Sequence, residues 1–431
     1  GNAQALLEEA RVLFDALGDV RAGARVLSLL ANMDFEDGHP PQAVARLEPL
    51  IDDLESSEPD SVLAEVTGQL GRFLIFSGDH ERAAPYLERA LSLSELLDLP
   101  ETFVQALNSK SVLALHSERP REARILLKGA LEIALAHELH AAALRAYNNL
   151  SVLLWSADEW QANVTNMEHA LELARRVGHR NWESNFVAGS IGTLDILGRW
   201  DEALARSAEA ENLATNEFAR GLMLQVVRIL AQRGSLERAR ELLTRHASIA
   251  HSENPDFAGG YAMIESSLLR AEGDLKGASA AVERAVALDI EPGGLGKFVL
   301  FEALEVAAAL GDLERLRALL ARLDVLLPGQ LTPSIRAFRA RFRACLPEAD
   351  ADAEFRIAER LFGQLEMPFF LAVTRLEAAA RFIADGREPD AQPLLTASRE
   401  TFERLQAAPW LERVDRLSPR TLLAESEAAL P

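Results

Sequence analysis

The chain has 431 residues, of which 48% are hydrophobic and 6% aromatic, so it is longer than one hydrophobic core supports. It carries 45 basic and 66 acidic residues, and the resulting net charge of −21 disfavours direct nucleic-acid binding, because phosphate backbones are repelled. The single cysteine, Cys345, excludes an internal disulfide framework, and the chain has neither a long uncharged apolar stretch nor a signal-peptide pattern, which fits a cytoplasmic protein.

A short turn followed by a helix recurs along the chain at a nearly fixed interval. The first four steps between turns are 40 residues each, the next three are 36, 39 and 38, and the last is 75 with a weak turn near Asp350 inside it. A period of about 20–50 residues is the signature of a solenoid, whose repeats pack on their neighbours. The sequence therefore predicts an all-α fold, a right-handed α-solenoid of antiparallel helix pairs. The nine turns lie at Gly38, Gly78, Glu118, Asp158, Gly198, Gly234, Gly273, Gly311 and Gly386.

The apolar spacing divides the chain into three parts. Residues 1–17 match the second helix of a repeat without its first helix, residues 18–406 form ten helix pairs, and residues 407–431 form a C-terminal capping segment. Because Gly1 stands where an initiator Met would be, we expect the chain to be a piece of a longer protein. The predicted pairs are 21–36 with 42–54, 62–76 with a helix ending near 97, 103–117 with 121–136, 141–157 with 161–177, 182–197 with 201–214, 217–232 with 236–250, 257–272 with 275–288, 295–310 with 313–326, 334–346 with 353–365, and 369–384 with 390–405.

The unit at 61–97 shows most clearly how the pattern arises. Apolar residues at 63, 66, 70, 73 and 74 follow the spacing of an amphipathic helix. Gly78 can end this helix in a left-handed conformation, and Asp79 can cap the next one. Small residues at Ala83 and Ala90 allow two helix axes to approach closely.

Motifs for catalysis, metals and phosphate binding are weak. Residues 291–297 are glycine-rich like a phosphate-binding loop, but they lack its first Gly and its final Ser or Thr, so a turn between repeats is the favoured interpretation. The histidine pairs His137 with His140 and His246 with His251 lack the spacing and the carboxylates of a zinc site. We therefore expect no catalytic residue, no cofactor and no metal in this chain.

Three units carry residues at the diagnostic positions of the tetratricopeptide repeat. The first contributes Leu70, Gly71, Leu74, Gly78, Asp79, Ala83, Leu87 and Ala90, the second contributes residues 147–151 with Leu154, Trp160, Ala170 and Leu171, and the third contributes residues 198–203. The chain resembles tetratricopeptide repeats over essentially its whole length. It departs from them in its period, near 40 rather than 34 residues, and in lacking the usual terminal proline.

At this longer period the units resemble the repeat arrays of large bacterial signalling proteins. In those proteins an ATP-binding module precedes the repeats, which are joined to a LuxR-type DNA-binding domain, as in MalT-like regulators, or to an adenylate or guanylate cyclase domain. Residues 397–405 and 408–413 are similar to the closing element of such arrays. The resemblance implies that the parent's catalytic and ATP-binding residues lie outside this chain, and that the repeats contact an N-terminal ATP-binding module.

The resemblance also implies a binding surface, because the first helix of each tetratricopeptide-like unit lines the concave side. Asn amides there suit a peptide backbone or sugar hydroxyls. The alternatives are an ordinary solvated face and hydrogen bonds between repeats. The residues projected onto this concave face are Arg72, Phe76, Asn108, His116, Asn148 and Trp155.

These observations lead to one main functional hypothesis and two rivals. The main hypothesis is a non-catalytic binding and scaffold module, a sensor that takes a protein, a peptide or a small metabolite in its groove and passes this state on through a change of curvature. The second is a fragment of a LuxR- or MalT-type transcription regulator, or of a nucleotide cyclase with an ATPase module. The third, an enzyme, has no motif in its support.

Overall fold

A computed structural model of the chain describes residues 2–56, 58–213, 216–288 and 294–417, and within these ranges the backbone is helical without a β-strand. Consecutive helices pack as antiparallel pairs, so the predicted all-α solenoid is confirmed. The chain divides into two compact units, Gly1–Leu153 (unit 1) and Leu154–Pro431 (unit 2), which are described separately.

Nine helices begin in unit 1, and the last of them extends beyond the end of this unit at Leu153. They are α1 (Asn2–Leu17), α2 (Val20–Glu36), α3 (Pro40–Leu47), α4 (Leu50–Glu55), α5 (Ser61–Phe76), α6 (His80–Leu96), α7 (Pro100–His116), α8 (Pro120–Ala136) and α9 (His140–Ser156).

The described part of unit 2 continues with fifteen α-helices and one short 3-10 turn at Ala247–His251. The helices are α10 (Trp160–Arg176), α11 (Arg180–Ile196), α12 (Trp200–Leu213), α13 (Glu217–Met223), α14 (Val226–Gln232), α15 (Leu236–Arg245), α16 (Pro255–Ala271), α17 (Leu275–Ala287), α18 (Gly294–Leu310), α19 (Leu313–Asp324), α20 (Pro333–Arg343), α21 (Ala351–Gln364), α22 (Pro368–Ala384), α23 (Glu388–Leu405) and α24 (Ala408–Leu417).

The turns that set the repeat all reverse the chain in the same way. Each of the nine predicted turn residues has a positive φ, including the non-glycine residues Glu118 at 56° and Asp158 at 64°. At the Gly78 turn, the backbone N–H of Asp79 donates to the carbonyl of Leu74 and so closes the end of α5. The repeat period read from the sequence is therefore a period of backbone conformation.

Two predicted helices are interrupted. The predicted helix 42–54 divides into α3 and α4 next to Pro49, which lacks the N–H that would continue the hydrogen-bond ladder. The predicted helix 217–232 divides into α13 and α14, because Leu224 and Gln225 donate to carbonyls three residues back and tighten the backbone.

Gly71 sets the distance between α5 and α6 in unit 1. A Cβ atom at this position would lie 2.8 Å from Cδ2 of Leu87, closer than packed side chains allow. Leu87 itself belongs to the apolar core that α5 and α6 share with Leu70 and Phe73. A glycine is therefore required here by close approach rather than by its φ angle.

In unit 2 aromatic side chains of helices far apart in sequence pack on each other. The rings of Trp155 and Phe298 lie 5.1 Å apart between centroids, and those of Trp200 and Phe369 lie 5.3 Å apart. Farther along, the ring of Phe369 also contacts Trp410 at 5.3 Å. Aromatic side chains thus fill the interior that these helices enclose.

A fully buried ion pair joins the same distant repeats of unit 2. The ammonium group of Lys297 donates to the carboxylate of Asp158 and, at 3.1 Å each, to the carbonyls of Trp155 and Ser156. The carboxylate of Asp158 also accepts from the backbone N–H of Ser334 at 2.6 Å and from its hydroxyl at 2.9 Å. Lys297 is the last residue of the predicted turn 291–297, of which residues 291–293 lie outside the described residues. The side chain of Lys297 links two distant repeats.

None of the described helices combines the length and the apolar composition that a membrane crossing requires.

Candidate binding face

The first helices of unit 1 present a row of side chains at equivalent positions of each repeat. On α5 the row follows one side of the helix, with spacings of three or four residues, and positions 40 residues away continue it on the neighbouring first helices. We call this surface the first-helix face. It consists of Arg25, Leu29, Asn32 and Glu36 on α2, Glu65, Gln69, Arg72 and Phe76 on α5, Gln105, Ser109, Val112 and His116 on α7, and Arg145, Asn149 and Val152 on α9.

Arg72 and Phe76 lie at an aromatic corner of this face. The guanidinium carbon of Arg72 lies 4.3 Å from the centroid of the Phe35 ring, a cation–π arrangement. Phe76 meets the edge of the same ring at 5.0 Å and remains 47% exposed. Both residues of the predicted site are therefore on the first-helix face, held by one aromatic ring of α2.

His116 lies at the end of α7 and is exposed. Its ring lies 4.8 Å from that of His80, at the start of α6. This predicted site residue is accessible at the rim of the face.

The two predicted asparagines have different surroundings. Asn108 is fully buried, and its amide nitrogen donates to the carbonyl of Ala142 on the next first helix at 3.3 Å. It thus fits the alternative of a hydrogen bond between repeats. Asn148 is half-buried, and its neighbour Asn149 has a buried amide nitrogen with no hydrogen-bond partner among the described residues. A binding role for Asn148 stays a prediction.

Two separate groups of hydrogen bonds that the sequence did not reveal lie on or next to the face. The guanidinium group of Arg145 donates to Oε1 of Gln105 at 2.5 Å and to the hydroxyl of Ser109 at 2.8 Å. Between α2 and α5, the hydroxyl of Ser28 donates to the side-chain oxygen of Gln69 at 2.7 Å. Within α5, the amide nitrogen of Gln69 donates to the carboxylate of Glu65 at 3.2 Å. The 40-residue relation between positions 65, 105 and 145 is the signal that could have identified Arg145.

The face changes the ionisation of its charged groups. Burial lowers the pKa of Arg72 to about 10, with Glu36 opposing the shift, and burial with the charge of Arg72 lowers the pKa of Arg145 well below its usual value. Burial, with the charge of Glu101 and against that of Arg25, raises the pKa of Glu65. Burial on this face therefore disfavours the charged forms of both the arginines and the glutamate.

Trp155, the last predicted site residue, lies in unit 2. Its ring packs on Phe298 and on the edge of Trp160, which is 5.1 Å away between centroids. A Cβ atom on Gly192 would come within 3.0 Å of it. Trp155 thus contributes to the packing of unit 2, and a binding role for it stays a prediction.

A small cavity lies inside unit 2. The cavity between Arg228, Phe298 and Trp410 has a volume of about 20 Å³, which suits a single water molecule. Buried charges around it are paired, since Arg270 contacts Glu302 at 2.9 Å, and Arg341 contacts carboxylates on both sides. This interior is occupied by the side chains of the unit itself.

Cys345 lies beside the paired charges of Arg341. Dense packing around the sulfur, together with the charge of Glu377, raises the pKa of its thiol from 9.0 to about 12, although the residue is exposed. At pH 8 the thiolate fraction should be about a thousandfold lower than for an ordinary thiol, and the higher nucleophilicity of a more basic thiolate recovers about twentyfold. We expect iodoacetamide to alkylate Cys345 about fiftyfold more slowly in the folded chain than in the urea-unfolded chain at equal pH. Equal rates in the two states would contradict the raised pKa.

Among the described residues, no group of three or more His, Cys, Asp and Glu side chains is arranged to hold a metal ion.

The repeating helix pairs and the open first-helix face define the chain as an α-solenoid with an accessible surface on the first helices of unit 1. Residues 64–95 and residues 143–177 match family models described as tetratricopeptide repeat. The chain thus contains tetratricopeptide repeats. No curated protein sequence matches it.

Several solved structures resemble the chain at TM-scores below 0.5. The apo form of RapI has a TM-score of 0.49 at 11% identity, covering 62% of this chain and 97% of its own. The human IFIT1 dimer with PPP-AAAA has a TM-score of 0.49 at 14% identity, covering 92% and 91%. The apo form of the quorum sensor NprR from B. thuringiensis has a TM-score of 0.41 at 13% identity, covering 90% and 99%.

Proposed function

We propose that this chain is a non-catalytic binding and scaffold module that takes an extended peptide segment of a partner protein on the first-helix face. One observation carries the proposal. The first-helix face of unit 1 keeps polar and apolar side chains accessible, whereas in unit 2 aromatic side chains of helices far apart in sequence pack on each other.

The accessible side chains suit a peptide. Leu29, Phe76 and Val152 are 53%, 47% and 49% exposed, so they offer apolar contacts spread over three first helices. An extended peptide would reach several repeats at once, as repeat proteins with concave surfaces allow.

A small metabolite is a weaker candidate. Ligand pockets usually enclose about 300–1,000 Å³. The two cavities found in unit 2, around Arg228 and around Arg206, each measure about 20 Å³. An open face with spread contacts favours a polymer segment over a compact molecule.

Peptide binding is tested by selecting phage-displayed dodecapeptides on the full chain and measuring the affinity of synthetic copies. Phe76→Ala should weaken binding by about 2 kcal/mol, roughly thirtyfold, if Phe76 is an anchor. Its melting temperature should change little, because Phe76 is half-exposed at a helix end. Ile125→Ala on α8 is the matched control, since Ile125 is an apolar residue that is 73% exposed but lies on a second helix.

Two results would contradict the proposal. One is the failure of any peptide to bind the wild-type chain. The other is a set of selected peptides whose affinity changes with Ile125→Ala but not with Phe76→Ala, which would assign binding to the second helices.

We further propose that the module belongs to a larger bacterial signalling protein, in which it reports its bound state to an ATP-dependent module. The support is the similarity of residues 397–405 and 408–413 to the closing element of such arrays. The rival parents are a LuxR- or MalT-type regulator and a nucleotide cyclase. The sequence of the gene on both sides of this segment distinguishes them, and flanking sequence without any ATP-binding module would contradict the proposal.

A further inference from the structure

One accessible apolar side chain lies on each of three consecutive first helices in unit 1. Phe76 on α5 and Val152 on α9 are about half exposed, and Val112 on α7 is half-buried. Val112 and Val152 occupy equivalent positions, and Phe76 lies one helical turn farther along its own helix. We call these three residues the apolar row. On α2, Leu29 lies two turns before the position equivalent to Phe76 and is therefore outside the row.

The row begins at an aromatic corner. The ring of Phe35 on α2 stacks on Phe73 at 5.1 Å and meets Phe76 at 5.0 Å, with an angle of 70° between the latter two rings. Three of the five phenylalanines of unit 1 therefore meet at this corner, and the ring of Phe76 stays accessible. Surfaces lined by aromatic rings are suited to proline-rich segments.

The distance between repeats sets the spacing of the apolar row. The helices α5 and α7 pack on each other, and α7 is joined to α9 by the hydrogen bond from Asn108 to the carbonyl of Ala142. The axes of packed helices lie about 8–10 Å apart, so an apolar contact recurs at about this interval. A ligand that touches every repeat has to place side chains of one face at the same interval.

Regular peptide conformations differ in how far apart they place side chains of the same face. In polyproline II the same face returns every three residues, after about 9.3 Å. In a β-strand it returns every two residues, after about 6.7 Å and again after about 13 Å. In an α-helix it returns after about 5.4 Å, and after seven residues at about 10.5 Å. Polyproline II therefore agrees best with the interval between first helices.

The backbone chemistry of the face favours the same conformation. The helices α5, α7 and α9 use their backbone N–H and C=O groups for their own hydrogen bonds, and the described residues contain no β-strand whose edge a peptide could extend. A strand-like ligand would find no backbone ladder here. Polyproline II has no internal hydrogen bonds and keeps its backbone solvated, so it needs no such partner.

We infer that the first-helix face binds a proline-rich segment in the polyproline II conformation, with an apolar side chain at every third residue against Phe76, Val112 and Val152. The inference rests on the proposed function and names the class of peptide. Three contacts require about seven residues, so with one flanking residue at each end the segment has about nine. Proline also reduces the entropy lost on binding, because the free peptide is already ordered.

The test measures the fluorescence anisotropy of three labelled nine-residue peptides with the full wild-type chain. Each peptide consists of three leucines and six prolines, and the leucines stand at every second, every third or every fourth position. The composition is identical, so the peptides are matched controls for unspecific apolar binding. We expect the peptide with leucine at every third position to bind about a hundredfold more tightly, because the other two meet the apolar row at one leucine only.

A fourth peptide examines the conformation itself. It keeps leucine at every third position and replaces the prolines by glycines, which allow the same conformation but do not impose it. We expect this peptide to bind about tenfold more weakly, because it loses more conformational entropy on binding.

Variants of the chain assign the contacts. Val152→Ala should weaken the nine-residue peptide about tenfold, the effect of two methyl groups that are no longer buried. It should leave a six-residue peptide with two leucines nearly unchanged, because that peptide reaches Phe76 and Val112 only. Phe76→Ala should weaken both peptides, and Ile125→Ala on α8 should weaken neither. Melting temperatures recorded in parallel check that each variant is folded.

The results separate this inference from the proposed function. Equal binding of the three leucine spacings, a preference for another spacing, or tighter binding of the glycine peptide would overturn the polyproline II register. Phage-selected peptides that still depend on Phe76 would then leave the proposed function intact. Selected peptides that are helical by circular dichroism would assign the face to a helix instead. If neither the designed nor the selected peptides bind, both proposals are overturned.

Discussion

Asp158→Ala is expected to lower the free energy of unfolding of unit 2 by about 3–5 kcal/mol. The substitution leaves the buried ammonium group of Lys297 with two carbonyl partners and no opposite charge. It also removes the acceptor of the Ser334 backbone N–H. Alanine tolerates the positive φ at this position less well than aspartate, which adds to the loss.

Tryptophan fluorescence during urea unfolding measures this effect in unit 2 alone, because all five tryptophans lie in that unit: Trp155, Trp160, Trp182, Trp200 and Trp410. Asp158→Asn is the matched variant, since asparagine keeps the shape and accepts a positive φ but carries no charge. Combined with Lys297→Met, it should recover much of the lost stability, because no uncompensated charge remains. A double variant as unstable as Asp158→Ala would show that packing, and not the charge, is responsible.

Arg341→Gln should cost a similar amount, about 3–5 kcal/mol at neutral pH. The guanidinium group of Arg341 donates to Glu305 at 2.6 Å and to Glu377 at 2.6 and 2.7 Å, and its side chain is almost fully buried. Without it, two carboxylates share what remains of the positive charge from Arg270, which is 4.0 Å from Glu305.

The loss should depend on pH. Burial opposes the charge of Glu305, but Arg341 and Arg270 outweigh it and lower its pKa. A carboxylate with a lowered pKa stabilises the fold above its unfolded pKa, about 4.3, and this contribution is lost as the pH falls through its folded value. The difference between wild type and Arg341→Gln should therefore shrink on acidification. It is measured by the same urea titration at neutral and acid pH.

Arg317→Gln is the control for Arg341→Gln. Arg317 pairs with Glu348 at the surface of the same unit, where solvent screens the interaction. We expect this variant to unfold nearly as the wild type does. If both variants lose the same stability, or if the loss in Arg341→Gln is independent of pH, the buried charge network is not its source.

The repeat architecture could be predicted from the sequence because turn chemistry is local. A glycine or an aspartate that adopts a positive φ needs only its own backbone and its neighbours, so Gly78 and Asp158 identified the turns correctly. The predicted helix 42–54 was wrong because the break at Pro49, although local, was not recognised as such.

The candidate site was less predictable because side-chain direction depends on neighbouring repeats. Asn108 has the helical position of a surface residue, but its amide reaches the carbonyl of Ala142 on the next helix. Arg145 was overlooked because the predicted face included positions 108 and 148 but not positions 105 and 145. The contact of Trp155 with Phe298 joins residues 143 positions apart, which a rule of packing between adjacent repeats cannot anticipate.

The contacts across the interior of unit 2 constrain how such a chain can evolve. In an array whose repeats touch only their neighbours, duplication or loss of one repeat leaves the remaining interfaces intact. In unit 2, inserting one repeat between Asp158 and Lys297 would shift one partner of the buried pair by about 40 residues of solenoid, and the ion pair and the aromatic contacts would be lost together. The number of repeats in unit 2 is thus fixed by its interior, and changes in length should be found in families of this kind among repeats that lack such contacts.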